Sequence, residues 1–330
     1  MRRFGRFLGR VLAVLVVVGV ALWIFGPYEE VDLDASFDPG AFGEGVQVYF
    51  ETSEAGVKDI TPGTEKRVIW ADGFKEKRTA ISVLYIHGFS ATSQEIRPVP
   101  DQIAAALGAN LVYTRLQGHG LPGAELARAS ASTWMVETAE ALAAARAVGE
   151  RVVVISTSTG GTLAAAAALN PELSDKVAAM IFVSPNFGVN NPAAFLMTWP
   201  AAKYWLPMLL GGEYQSSSDN PRRKGYWTNS YPWSALVPMG ALVKKVVALD
   251  FSTANTPALF WFSQEDKVVR PDMTRQIAGQ WGGVADIVTV KMGTGDDPHS
   301  HVIAGDIMSP GQTGGAVAGM LDWLAKQGIK

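Results

Sequence analysis

Beyond about residue 79 the chain alternates between two hydrophobic rhythms. Near-continuous apolar runs recur: "TAISVLYIHG" from Thr79, "NLVYTRL" from Asn110, "RVVVIST" from Arg151, "KVAAMIFVSP" from Lys176, "PALFWFS" from Pro257 and "DIVTVKMG" from Asp286. Runs of this length, apolar on both sides of the pleat, predict strands buried on both faces. Between them stand longer stretches with helical composition: "RPVPDQIAAALG", "ASTWMVETAEALAAARAVG", "GTLAAAAALN", a segment from about Asp272, and a last one from about Gly315 to Gln327. The alternation predicts a mostly parallel sheet covered on both faces, a doubly wound α/β domain. Two earlier runs, "GVQVYFE" from Gly45 and "KRVIWADG" from Lys66, read as short strands, and these early strands, with the run from Thr79, are expected to make antiparallel pairs at one edge.

Two stretches break this rhythm. From about residue 186 to 250 no strand is evident, yet the segment holds Trp199, Trp205, Trp227 and Trp233, four of the ten tryptophans. Four of the eight tyrosines lie there too, with Phe195, Met197, Met208 and Met239. It is too long for a plain loop. It predicts a helical cap insertion over the C-terminal ends of the strands, where such sheets take their ligands. The other exception is the N-terminus. "MRRFGRFLGR" is basic, Val11 to Tyr28 are 18 uncharged residues, and Glu29, Glu30, Asp32 and Asp34 follow. A span needs about 20 residues, and Arg10, Trp23 and Tyr28 suit its interfacial ends. Residues 1–28 are therefore expected as a single-pass membrane anchor with its N-terminus cytoplasmic and the rest of the chain outside. A cleaved signal peptide ending near Gly19-Val20-Ala21 is the alternative, but "LWIFG" stays apolar where such a peptide turns polar. Residues 29–45, acidic and rich in Gly and Pro, read as a linker, and 46–330 as the domain.

Composition narrows the chemistry. The formal net charge is -3, and beyond the four arginines of the first ten residues 24 basic side chains face 31 acidic ones. That sign speaks against a nucleic-acid partner. The absence of cysteine removes disulfides, thiolate nucleophiles and Cys-ligated zinc. Any imidazole chemistry must use His87, His119, His299 or His301.

The strand–turn–helix at "VVVISTSTGGTLAAAA" is the first candidate site. A serine hydroxyl attacks only when a base takes its proton and donors receive the oxyanion. A tight turn from strand to helix lifts the side chain clear of the sheet and aims the following backbone N–H at the oxyanion. Gly160 centres the turn on Ser158, with Ser156 where the G-x-S-x-G form has its first glycine. A plain helix cap at Ser158 or Thr159 is the competing reading. The partners favour catalysis. In the chain order Ser, Asp/Glu, His, the strand "PALFWFS" is followed by Asp266, with Glu265 as fallback, and "DIVTVKMG" by His299 and His301. His301 is preferred as base because "HVI" leads into the last helix, whereas His299 follows Pro298 in a polar loop. A metal site from His299, His301, Asp296 and Asp297 lacks a convincing further ligand. The backbone N–H of Phe89, in "YIHGFS", is expected to join that of Thr159 as an oxyanion donor. His87 and His119 are expected as structural histidines.

These pieces carry a resemblance. "YIHGF", "RLQGHG", "STSTGG", "FSQEDKVV" and "SHVI", between about Leu84 and Ile303, resemble the α/β-hydrolase superfamily, and within it the carboxylesterase and monoacylglycerol-lipase-like serine hydrolases. The resemblance implies Ser158 as nucleophile, Asp266 as acid, His301 as base, and Phe89 and Thr159 as oxyanion donors, with no cofactor and no metal. It implies the cap at the insertion and an ester substrate with an apolar acyl or lipid-like part. Ser156 and the N-terminal anchor depart from the family's pattern. A peptidase or thioesterase on the same triad, and a silent binding protein of the same fold, remain the alternatives.

Overall fold

The computed structural model describes residues 2–216 and 218–330. Met1, the first residue of the expected anchor, and Ser217, in the expected insertion, lie outside the described residues, as do the side chains of Arg2 and Arg3. The N-terminal run forms one helix, α1 (Arg2–Phe25). Its part from Arg6 to Phe25 is long and apolar enough to cross a membrane, and none of it is buried in the protein. Residues 29–45 do not hang free. Ala35 and Phe42 are buried, Val31, Leu33 and Phe37 pack against the core, and the Asp32 N–H donates to Ser132 Oγ at 2.8 Å.

The run from Gly45, expected as a strand, is instead a helix, α2 (Val46–Glu54). Its alternation of Val, Tyr and Phe satisfies a strand period over four residues only. Val46, Phe50 and Glu54, spaced by four, are the residues it buries. Glu54 is buried because Arg115 Nε donates to one of its oxygens at 2.6 Å and the Lys66 N–H to the other at 2.7 Å. A local pattern could not disclose a partner 61 residues away.

The domain then runs β1 (Arg67–Ile69), β2 (Thr79–Ile86), α3 (Val99–Ala106), β3 (Asn110–Tyr113), α4 (Gly123–Leu126), α5 (Ala131–Val148), β4 (Gly149–Thr157), α6 (Thr159–Ala168), α7 (Pro171–Ser174) and β5 (Val177–Val183). The insertion holds α8 (Ala202–Leu210), β6 (Glu213–Gln215), α9 (Pro221–Tyr226), β7 (Ser230–Pro232) and α10 (Leu236–Val246). After it come β8 (Ala258–Ser263), α11 (Pro271–Gln280), β9 (Ala285–Val290) and α12 (Pro310–Lys326). Seven strands form one sheet in the order β1-β3-β2-β4-β5-β8-β9. Only β1 is antiparallel; β2, expected near an antiparallel edge, lies inside the sheet and runs parallel to both β3 and β4.

Side-chain alternation sorts the sheet into two cores. Leu84, Ile86, Val152 and Val154 face α5, α6 and α10. Val83, Tyr85, Val153 and Ile155 face α3 and α12. Burial on both sides explains the unbroken apolar strands. The insertion is not wholly helical. β6 and β7 form a three-residue antiparallel hairpin, with Tyr214 opposite Tyr231. Strands that short leave no period to read. The hairpin region is tied to the sheet's carboxyl edge by Thr228 N–H, which donates to Ser90 O at 2.8 Å.

Candidate active site

β4 ends at Thr157, and α6 begins at Thr159. Ser158 makes the turn between them at φ 51° and ψ −118°. A non-glycine residue in that region is held by its surroundings at a cost of about 1–3 kcal/mol. The surroundings are visible. Ser158 N–H donates to Val183 O at 3.0 Å, and Ser158 O accepts from Gly161 at 2.9 Å and from Asn186 at 2.9 Å. Gly160 admits no side chain, since a Cβ there would stand 2.3 Å from Ile86 O. This approach sets the N-terminus of α6 against the loop that follows β2.

Ser156 is fully buried, and its hydroxyl donates to Ile181 O at 3.3 Å. The pocket accepts a hydroxymethyl and little more. Ser156→Gly is expected to leave activity and fold intact, whereas Ser156→Leu should cost about 1–3 kcal/mol by overpacking and disturb the turn. Denaturation midpoints and ester turnover of the two variants check this.

The loops after β8 and β9 bring two further side chains to Ser158. His301 Nε2 lies 3.1 Å from Ser158 Oγ, and His301 Nδ1 lies 2.8 Å from Asp266 Oδ2. Asp266 Oδ1 accepts the N–H groups of Val268 at 2.8 Å and Val269 at 2.9 Å, which fixes the carboxylate. All three side chains are buried. Burial alone drives the His301 pKa down, but the charge and hydrogen bond of Asp266, with Glu95 and Asp297, lift it above its ordinary value. Glu265 is exposed. His299 is exposed and stands outside this group; its ring lies 3.6 Å from Asp297.

Asp297, weighed in the sequence only as a metal ligand, has a different place. Its buried carboxylate accepts the N–H groups of His299, His301 and Val302 at 3.1, 3.1 and 2.9 Å. It is the staple that shapes the loop carrying His301. Sequence reasoning missed Glu95 altogether. Glu95 Oε2 accepts the Gly88 N–H at 2.7 Å and the Tyr85 hydroxyl at 3.0 Å. A Cβ on Gly88 would lie 3.0 Å from Ser158 Cβ, so this carboxylate holds the loop that passes directly over the serine. Burial pushes the Glu95 pKa up. The only sequence signal was an acid seven residues beyond the loop glycine.

That loop and the start of α6 each present a donor free among the described residues. The Phe89 N–H has no hydrogen-bond partner among the described residues. Thr159 is the first residue of α6, where an N–H has no partner inside its own helix. The Phe89 ring is wedged against Tyr231 of the cap at 5.5 Å and Trp134 at 6.2 Å between centroids. In the cap, Arg223 is held by its neighbours. Its guanidinium lies over the Trp227 ring and donates to Ser216 Oγ at 2.6 Å and Asn229 Oδ1 at 3.1 Å.

His87 sits beneath the loop, away from the serine. It is fully buried, with Nδ1 2.9 Å from Gly88 O and Nε2 accepting the Leu116 N–H at 3.1 Å. Burial lowers its pKa to about 4. In the unfolded chain it titrates near 6.5, so between about pH 6.5 and 4 the unfolded state binds the extra proton. Stability therefore falls as pH drops through that window, by about 3 kcal/mol from this group. His87→Gln should flatten the decline in unfolding free energy between pH 6.5 and 4, as urea titrations would read. His119 is likewise buried, packed against His87 and Trp134, and burial holds it well below its ordinary pKa.

The profile of the Hydrolase_4 family, described as serine aminopeptidase S33, matches residues 77–286, more than half of the chain. The chain belongs to this α/β-hydrolase family. Ser158 and Asp266 fall within the matched segment and His301 beyond it. The chain is 28% identical over 203 residues to a thermostable monoacylglycerol lipase of Bacillus sp. strain H-257, covering 61% of this chain and 76% of that one. Among solved structures it resembles one from work on the metagenome-derived lipolytic enzymes LipS and LipT, at TM-score 0.62 and 20% identity over 81% of this chain and 99% of that one. It also resembles a soluble variant of monoglyceride lipase from Saccharomyces cerevisiae, at TM-score 0.58 and 13% identity over 80% and 91% of the two chains. At those identities the structural likeness speaks to the fold. This α/β hydrolase is thus lipase- or esterase-like in family, and its fold is the one the sequence motifs imply.

Proposed function

We propose that this α/β hydrolase cleaves carboxylic esters with apolar acyl groups, monoacylglycerols among them, through an acyl-enzyme on Ser158. The observation that carries the reading is the continuous hydrogen-bonded path from Asp266 through His301 to Ser158, beside the Phe89 and Thr159 N–H groups, which have no partner among the described residues. Ser158 Oγ attacks the ester carbonyl as His301 Nε2 takes its proton. Asp266 holds Nδ1–H, which leaves Nε2 free to accept, and its charge stabilises the imidazolium. The oxyanion forms against the N–H groups of Phe89 and Thr159, where fixed donors cost no reorganisation. His301 then gives the proton to the leaving alcohol, and water repeats the sequence on the acyl-enzyme to release the acid. The raised His301 pKa predicts an acid limb of turnover above the ordinary histidine range, because only the neutral imidazole accepts the serine proton.

The reading extends to place. With α1 as a single-pass anchor and its basic end cytoplasmic, the catalytic domain lies outside the cytoplasm. The monoacylglycerol lipase relative supports a lipid-like ester. The aminopeptidase description of the family keeps aminoacyl amides as the second reading. A panel of p-nitrophenyl esters, monoacylglycerols, acyl thioesters and aminoacyl amides, run beside a fluorophosphonate probe, separates them. Ester turnover with a labelled Ser158 is the expected result. Amide turnover above ester turnover, or a chain that takes no label, overturns it.

A further inference from the structure

A second chamber lies between the end of α1 and the cap, apart from the serine. Its volume is about 1010 Å³, at the top of the roughly 300–1,000 Å³ range of small-molecule sites. Trp23 in the last turn of α1 and Tyr28 just beyond it face Phe195, Met197 and Trp199 of the cap and Val243 of α10 across it. None of Ser158, Asp266 and His301 lines it. The seam is a built contact. Trp23 and Trp199 meet edge to face at 6.0 Å, the Ala201 N–H donates to Pro27 O at 2.8 Å, and Lys203 pairs with Glu29 at 3.6 Å.

The chamber adjoins a smaller one of about 390 Å³ that shares Tyr28, Met197, Thr198 and Lys244 with it and adds Glu29 and Lys245. Glu29 is engaged by Lys203, and Lys245 Nζ donates to Val31 O. Lys244 is exposed and has no acidic partner among the described residues. A long apolar chamber beside a free cation matches a chain with an anionic head. Because the chamber begins at the last turn of the apolar helix, an acyl chain can reach it along α1. Its wall Phe187–Asn191 runs on to the catalytic side chains, since Asn186 N–H donates to Ser158 O and Asn190 Nδ2 to Asp266 O at 3.0 Å.

We infer that the seam between α1 and the cap binds a single-chain anionic amphiphile, its acyl chain among Trp23, Phe195, Met197, Trp199 and Val243 and its carboxylate or phosphate at Lys244. The inference rests on reading α1 as a membrane anchor. The test uses the full chain as Ser158→Ala in phosphatidylcholine vesicles with diazirine-bearing palmitate, lysophosphatidate or monopalmitoylglycerol, and mass spectrometry of the photolabelled residues. Label on Phe195–Trp199 and Val243–Val247 is expected, since lipid contact of α1 alone cannot place it there. Ala194→Trp, which fills the chamber, should cut that label about tenfold. Lys244→Ala should cut it about threefold for the two anionic probes and leave the neutral one unchanged. The better labelled anion identifies carboxylate or phosphate as the head. Label confined to α1 and the catalytic cleft, or label indifferent to both substitutions, overturns the inference. Extraction of the protein from the vesicles by alkaline carbonate would overturn the anchor reading separately. p-Nitrophenyl acetate turnover of Ala194→Trp with Ser158 present should be unchanged. No turnover even in the unaltered chain would sink the esterase reading and leave the labelling result to decide the seam by itself.

Discussion

Ser158→Ala is expected to lower ester turnover by about 10⁴–10⁶-fold, to the residual rate that binding and oxyanion donors alone sustain. The substitution keeps the Cβ and so keeps the strained turn at φ 51°, with Gly161 and Asn186 still bonded to its carbonyl. The thermal midpoint should therefore hold while turnover and fluorophosphonate labelling disappear together. A variant that kept its activity would place the nucleophile elsewhere. One that lost its fold would make the loss uninformative, so circular dichroism belongs beside the assay. Thr157 and Thr159 are the neighbouring hydroxyls; neither lies within hydrogen-bonding distance of His301, so neither can stand in.

Asp266→Asn should cost about 10⁴-fold in turnover, for reasons beyond a lost contact. An amide NH₂ turned toward Nδ1 favours the tautomer that carries its proton on Nε2, where the serine proton must go. The charge effect has a definite sign. Burial already pulls the His301 pKa down, and Asp266 is the first of the groups that oppose it. With the aspartate neutralised, only Glu95 and Asp297 still lift that pKa, so the acid limb of the surviving activity moves to lower pH. The pH profile of the weak variant is the discriminating measurement, because a merely structural defect would lower turnover without moving the limb. Glu265→Gln and His299→Ala are the controls. Both side chains are exposed and outside the hydrogen-bonded group, so their turnover should stay within about twofold of the parent.

The sheet and the meeting of Ser158, Asp266 and His301 were legible because each rests on a local pattern: apolar runs, a strand–Ser–Gly turn, an acid and a histidine just past later strands. The elements that were not legible depend on distant partners. The run at Val46–Glu54 reads as a strand until Arg115 and Lys66 are there to bury Glu54. The β6–β7 hairpin is three residues on each side, too short for any period to show. Asp297 acts by collecting three backbone N–H groups, and Glu95 by accepting the Gly88 N–H and the Tyr85 hydroxyl, tasks that sequence spacing does not distinguish from solvated acid or metal ligation. The packing of residues 29–45 is hidden for a similar reason. Val31, Leu33, Phe37 and Phe42 are scattered among acids and glycines, and only the groove beside α5 gives them a place.

The three side chains of the site are far apart along the chain. Ser158 and His301 are 143 residues apart, and the loop that carries His301 comes after the last strand. β9 pairs only with β8, and β8 must first pair with β5 across the whole cap insertion. Such long-range parallel pairing is the slow kind of folding step, since loop closure is opposed by chain entropy before contacts reward it. The proposed hydrolytic centre is therefore expected to close late in folding. A chain that ends short of residue 301 lacks the proposed base altogether. Recovered turnover would consequently report completion of the entire sheet, while helix content and burial of Trp134 in α5 are expected to return ahead of it.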